Sequence, residues 1–239
     1  MGRPPVTVVF GARNVGRAIA GERLEAGGRV LAVARSSETL ERLRERHPAV
    51  ETLQGDAADH ALVERALRRA VEELGGLDLV VNAITAPPRD HSFGGGPIVE
   101  APPERLDAWL AGFVPAAWAI QRAAGAALAA ASGGTLVQVA GGSARRPIAT
   151  RVPWGAAQHA ARALTLGLAQ ELRPVGVHVA LLIADGTIET ERAPMTDRPE
   201  RDSLAPEDVA AAVAYLAAQR ERGWTHELTL TPAGDTWVP

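Results

Sequence analysis

Cysteine and lysine are both missing from this 239-residue chain, and tyrosine occurs once, at Tyr215. The lack of cysteine excludes a disulfide framework and any thiolate site for a metal or a nucleophile. The lack of lysine makes all 25 strongly basic residues arginines, and a guanidinium stays charged, so it cannot tune a neighbour as an ammonium does. A net charge of −3 gives no electrostatic footprint for nucleic acid or an anionic membrane. Long hydrophobic runs are missing too. The run 6–10 is too short to span a bilayer, and the alanine-rich stretch 108–131 is broken by Pro115, Gln121 and Arg122. The first residues lack the charged-then-apolar pattern of a signal peptide. The expectation is a cytoplasmic protein that acts on a small molecule, with no metal, nucleic-acid or membrane partner. Arginine-only, alanine-rich usage is also associated with GC-rich bacterial genomes.

Short apolar runs alternate with helix-length periodic stretches. Strands are predicted at about 5–10, 29–34, 49–53, 78–82, 134–140, 176–183 and 226–230. Helices are predicted at about 15–27, 37–46, 58–74, 103–131, 153–173 and 206–220. This is the pattern of an α/β protein: a Rossmann-type, doubly wound parallel sheet of about seven strands with helices on both faces. No repeat or linker interrupts it, so 1–239 reads as a single domain.

Gly11-Ala12-Arg13-Asn14-Val15-Gly16 lies between the first strand and the first helix. Gly11 and Gly16 keep the outer spacing of G-x-G-x-x-G, in which glycines let the backbone approach a pyrophosphate at a helix N-terminus. The middle position is Arg13. Two readings stand: Arg13 pairs with a phosphate, or the loop has lost its dinucleotide. The second strand ends at Arg35-Ser36, which suits the 2′-phosphate of NADP, whereas an acidic residue would accept from the ribose of NAD. Gly55-Asp56-Ala57-Ala58-Asp59 follows the third strand, and Asp59 is also an N-cap candidate. The fourth strand ends in Val81-Asn82-Ala83-Ile84. After it comes a Pro- and Gly-rich loop, 85–97, at the sheet edge where ligands bind in such folds. Its Asp90, His91 and Ser92 are the only clustered acid/base candidates; a solvated loop with incidental polar residues is the competing reading.

Further on, the fourth helix carries Trp109, Phe113, Pro115 and Trp118, with Pro115 expected to kink it and Trp118 expected in the core. The fifth strand runs into Gly141-Gly142-Ser143. Val152-Pro153-Trp154-Gly155-Ala156-Ala157-Gln158 opens a long amphipathic helix, with Trp154 and Gln158 one turn apart and pointing the same way. Asp185-Gly186-Thr187-Ile188-Glu189-Thr190 follows the sixth strand.

In chain order these stretches resemble the short-chain dehydrogenase/reductase family, almost end to end. That resemblance implies an active-site Tyr as proton donor at the position of Trp154. It implies a Lys that lowers the Tyr pKa and holds the nicotinamide ribose at Gln158, a carbonyl-binding Ser at Gly141, and a structural Asn at Phe113. All four positions carry other residues here. An indole N–H and a primary amide cannot exchange a proton with a carbonyl oxygen near neutral pH. With one tyrosine and no lysine, the couple cannot be rebuilt from elsewhere in the chain. Ser143, two residues past Gly141, enters the pocket only if the loop bends. The resemblance also gives Asp56 the adenine amino group, the Ile188 backbone the carboxamide, and Thr190 the amide or pyrophosphate. It places Ile84 where a glycine passes close to the cofactor. A substrate loop is implied at about 186–204. Helices at about 103–131 and 153–173 are implied as the surface of a homodimer or homotetramer. Asp185-Gly186 and the stretch Gly223-Trp224-Thr225-His226-Glu227-Leu228 are similar to a bacterial subgroup of the family.

Three functions follow. The first is a non-redox enzyme of bacterial small-molecule metabolism, secondary metabolism included: cyclisation, isomerisation or dehydration by orienting a reactive substrate. Trp154, Gln158, Ser143, His91 and Asp185 are its candidate residues. The second is an atypical NADP(H)-dependent carbonyl oxidoreductase, supported by Arg13, Arg35, Asp56 and Asn82, with His91 or a water as proton source. The third is a catalytically silent partner subunit. NADP(H) is the one cofactor suggested, as reactant or as structural filler, and its absence is left equally open.

Overall fold

Runs of valine and leucine form the strands, and the periodic stretches form the helices between them. The computed structural model describes residues 2–85, 94–190 and 199–237. Along the chain come β1 (Val6–Phe10), α1 (Asn14–Glu25), β2 (Arg29–Ala34), α2 (Ser37–Arg46), β3 (Glu51–Gln54) and α3 (His60–Glu73). Then follow β4 (Leu79–Asn82), α4 (Glu104–Ala130), β5 (Gly134–Gly141), α5 (Val152–Leu172) and β6 (Val177–Ala184). Two short strands, β7 (Thr187–Ile188) and β8 (Ser203–Leu204), precede α6 (Pro206–Ala217) and β9 (Glu227–Leu230).

Seven strands make one sheet in the order β3-β2-β1-β4-β5-β6-β9, and every described pairing in it is parallel. The chain steps outward from β1 to β3 and then crosses back to β4. That reversal opens a crevice beyond the C-terminal ends of β1 and β4, the place where such sheets bind ligands. Alternate residues of β1 serve two cores. Val6, Val8 and Phe10 pack with α3 and α4, while Val9 packs with Ile19 of α1 and Val213 of α6. A parallel sheet needs both faces covered in this way.

Some expectations change on this frame and others hold. Trp118 is 51 % exposed, not in the core. The buried positions of α4 include 109, 113, 116, 117 and 120, and 118 lies about 100° round the helix from 117. Trp118 thus sits on the outer side of a helix that the sequence assigned to subunit contact. Pro115 lies within α4, which continues through it to Ala130. The parallel pair β7–β8 sits inside the region read as a substrate loop and fastens its two ends together. Asp59 is the N-cap of α3, accepting from Ala61 N–H at 2.9 Å. At α6 the cap position is Ala205, whose N–H donates to the Asp208 carboxylate at 3.0 Å, with Pro206 in the first turn.

His178 on β6 is buried, stacks on Trp224 at 5.1 Å between ring centroids, and donates from Nε2 to Thr225 O at 3.0 Å. Burial, reinforced by nearby His226, outweighs the backbone bonds and lowers its pKa from the ordinary 6.5. Below that pH the unfolded chain binds a proton that the folded chain resists. The contribution of His178 to stability is therefore full above about pH 6.5 and is lost as pH falls through the folded value. Urea midpoints measured from about pH 7.5 down to about 5 should fall, and His178→Phe should flatten the fall. An unchanged slope in that variant would assign it to other groups.

Candidate functional site

A cavity of about 1550 Å³ occupies the crevice and joins two chemically different halves. The first is built on the β1–α1 turn. Gly11 has φ +93, and a Cβ there would meet Ala83 O at 2.8 Å, so glycine is required on two counts. Gly16 lies behind the wall, where an added Cβ would run into Gly11 O. Arg13 is the N-cap at φ −91 and ψ 160, extended backbone that any side chain adopts, so its replacement of a glycine carries no strain. Its guanidinium donates to Thr85 O at 3.3 Å and has no carboxylate partner among the described residues. Asn14 takes the left-handed conformation, φ 37, which asparagine tolerates, and its Nδ2 donates to Glu189 O at 2.8 Å. The turn is thereby tied to both walls of the crevice by its own side chains.

No acidic residue lies in the first turn of α1, and no side chain caps its start. Open backbone amides at a helix N-terminus suit an anion. Arg35 lines the same half and stands 3.8 Å from Asp56, whose other oxygen accepts from Ala58 N–H at 3.0 Å. Ser36 caps α2, accepting from Thr39 N–H at 3.3 Å, so its hydroxyl has a structural partner as well as a place on the wall. Free amides, an uncompensated guanidinium and a second arginine make a donor set that fits a phosphate-bearing dinucleotide.

The second half lies over the ends of β5 and β6. Ser143 belongs to a single 3₁₀ turn, Gly142–Ala144, and this bend brings it to the cavity wall, almost fully buried. Trp154 and Gln158 of α5 also line it. The Trp154 ring is held by Trp109 at 4.9 Å and 57°, and by Phe113 at 5.6 Å and 63°. Gln158 is fully buried, and its Oε1 accepts from Gly141 N–H at 2.8 Å. Asp185 is buried and receives two hydrogen bonds from Arg146, 3.0 and 3.2 Å long. The bond to Asp185 raises the Arg146 pKa above its already high value, with smaller charge contributions from Asp185 and Asp235. The Arg146 guanidinium also lies 4.5 Å from the Trp237 ring centroid. Asp185 therefore serves as the anchor of a clasp, which leaves it poorly placed as a free base.

Most of the expected residues come together. Gly11, Arg13, Arg35, Asp56, Ile188 and Thr190 line the first half, and Gly141, Ser143, Trp154, Gln158 and Asp185 the second. Gly16, Phe113 and Asn82 stand behind the wall. Asn82 is buried: its Oδ1 accepts from Ile84 N–H at 3.1 Å and its Nδ2 donates to Gln138 Oε1 at 2.8 Å. Gln138 Oε1 also accepts from Gln121, which in turn donates to Thr165. Asn82 thus shapes the floor and does not face a ligand. His91, with Asp90 and Ser92, lies outside the described residues. Arg146 and Asn14 were not expected. Arg146 pairs across 39 positions of sequence, which no local pattern reveals; an asparagine after Arg13 in a tight turn was a readable signal. No group of acidic, His or Cys side chains able to hold a metal occurs among the described residues, and no described helix is long and apolar enough to cross a membrane.

Comparison with known proteins agrees with this geometry. A sequence model of the family described as short chain dehydrogenase matches residues 5–200. A Staphylococcus epidermidis protein, described only as an uncharacterized oxidoreductase, is 26 % identical over 229 residues, 95 % of this chain and 96 % of that one. Among solved structures, a metagenomic short-chain oxidoreductase in complex with NADP is 26 % identical with a TM-score of 0.77, covering 96 % of this chain and 98 % of the other. A short-chain dehydrogenase from Rhodopseudomonas palustris shares the fold at TM-score 0.78 and 22 % identity, covering 97 % of this chain and 100 % of that one.

Proposed function

The chain belongs to the short-chain dehydrogenase/reductase family, and from that premise we propose that it is an enzyme whose second half-cavity carries out a non-redox step on a small molecule. Cyclisation, isomerisation and dehydration are the reactions in view. One observation carries the reading: Trp154 and Gln158 occupy the α5 positions that line the reacting half, and neither side chain exchanges a proton near neutral pH. The sole tyrosine, Tyr215, is 58 % exposed on α6 and lines a separate groove, not this cavity. Asp185 is committed to Arg146. What the pocket offers instead is an aromatic wall, the Gln158 amide and the Ser143 hydroxyl, a setting suited to orienting a reactive substrate.

The first half favours a second reading, an NADP(H)-dependent carbonyl oxidoreductase, through Arg13 and Arg35. Both readings expect the dinucleotide to bind, and they part on whether it reacts. Calorimetric titration should give NADPH a dissociation constant at least about tenfold lower than that of NADH, and Arg13→Ala should remove most of that preference. NADPH absorbance should then stay constant when ketones and aldehydes are added. Steady consumption would replace the non-redox reading with the oxidoreductase one, and equal weak binding of both nucleotides would remove the oxidoreductase reading and leave the non-redox one without a dinucleotide.

A further inference from the structure

The described residues after β9 turn back to the reacting half and are fastened there. Asp185 N–H donates to Leu230 O at 2.8 Å, and a Cβ at Gly186 would come within 2.5 Å of Pro232 Cγ. The chain therefore leaves β9 pressed against the turn that follows β6. Asp235 N–H then donates to Pro232 O at 3.0 Å, and this second turn brings Asp235 to the cavity wall. The Asp235 carboxylate accepts from Trp237 N–H at 3.1 Å, with the indole lying against Arg146. Arg146 is thus held on several sides. Its Nε and Nη2 donate to Asp185, the Trp237 ring covers one face, and Asp235 adds negative charge nearby. A planar guanidinium suits the place, with one edge on a carboxylate and one face on a ring.

The same residues also hold the second end of the stretch read as a substrate loop. Gly234 N–H donates to Arg201 O at 2.7 Å, and Arg201 Nη2 donates to Ala233 O at 3.3 Å. Position 234 has no room for a side chain, because a Cβ there would collide with Asp202 Oδ1. Past Asp202 the chain enters β8, which pairs with β7. Glu189, just beyond β7, donates its N–H to Leu204 O at 3.1 Å, and its carboxylate accepts from Ser203 at 2.8 Å. Glu189 O accepts in turn from Asn14 of the β1–α1 turn, at 2.8 Å. One continuous series of contacts leads from Arg146 through Trp237, Gly234 and Arg201 to Glu189.

We infer that residues 231–237 form a strap, that Arg146 is the positioning residue holding it against the reacting half, and that its release loosens β7 and β8 with it. The strap supplies part of the cavity wall through Asp235, so its position decides how far the reacting half is open to water. The inference stands under either reading of the chemistry, because it concerns the shape of the cavity and not the reaction.

Amide hydrogen exchange of the full chain, followed in nitrogen-15 spectra, tests it. Trp237→Ala removes the ring and leaves the Arg146–Asp185 pair in place. Gly234 and Glu189 should then exchange at least about threefold faster than in the parent. Val8 and Val80, paired in the centre of the sheet, should keep their rates. Trp237→Phe restores an aromatic face for the guanidinium and should fall between the two. Unchanged rates at Gly234 and Glu189 would show that the ring holds nothing. Acceleration at Gly234 alone would make the segment a free end, uncoupled from β7 and β8. Equal acceleration at Val8 and Val80 would reduce the effect to a loss of global stability. A Phe variant as fast as the Ala variant would take the hold away from the ring face. Each of these results overturns the inference.

Discussion

Replacing Trp154 with Tyr, Gln158 with Lys and Gly141 with Ser in one protein should produce NADPH-dependent carbonyl reduction at least about a hundredfold above the parent, the low end of what a positioned proton donor contributes. Three structural facts support the expectation. Trp154 and Gln158 are one turn apart on α5 and both line the reacting half. Gly141 has φ −92 and ψ 170, ordinary extended backbone, and an added Cβ would meet its neighbours no closer than 3.7 Å. A serine therefore fits there without strain. At Gly142 it would not, because a Cβ would collide with the Asp185 carboxylate. Desolvation works against the gain: a lysine in the fully buried place of Gln158 has its charged form disfavoured, which weakens its hold on the Tyr pKa. Spectrophotometry at 340 nm, the usual NADPH band at about that wavelength, reads the outcome. A parent that already matches the variant would show that the native residues perform hydride chemistry, ending the non-redox reading. A variant with no gain would mean that the first half does not present a nicotinamide to the second.

The sequence carried the architecture because each strand is a short apolar run and each helix a periodic one, and both signals are local. It also carried the place of the site, since loops following β1, β4, β5 and β6 must converge in a doubly wound sheet. Pairings between distant residues were another matter. The β7–β8 pair consists of two residues on each side, partnered 16 positions apart, with too little sequence in either to show a period. The Arg146–Asp185 clasp joins a loop to a strand end, and neither residue looks special alone. The Asn82–Gln138–Gln121–Thr165 network did leave a trace: Gln138 interrupts an apolar strand and Gln121 an alanine-rich helix. Buried amides in such places must be satisfied, so they imply one another. Trp118 shows the opposite failure. Size and hydrophobicity suggested burial, but its angular position on α4 decided the matter.

Trp109→Ala should destabilise the protein by about 3–5 kcal/mol, the usual result of emptying a buried tryptophan site. Against a typical total of about 5–15 kcal/mol this is a large fraction, and it corresponds to a melting temperature lower by roughly 10 °C in a chain of this size. Trp109 has no exposed surface and packs directly on the Trp154 ring. The segment 94–96 leans on the same cluster: a Cβ at Gly95 would come within 2.9 Å of Trp109 Nε1, and Gly94 O accepts from Trp154 N–H at 3.2 Å. Removing Trp109 therefore opens a void behind the cavity wall and loosens the start of α5. Trp154→Phe should behave differently. That ring borders existing space, so the variant should lose only about 1 kcal/mol, while ligand affinity and turnover change because the wall of the reacting half has changed shape. Thermal melts and cyclohexanone titrations on the two variants separate these roles. A melting temperature for Trp109→Ala within a few degrees of the parent would remove the aromatic cluster from the core. Unaltered ligand binding in Trp154→Phe would remove Trp154 from the site. If both effects appear as stated, one residue of the pair supports the wall and the other forms it.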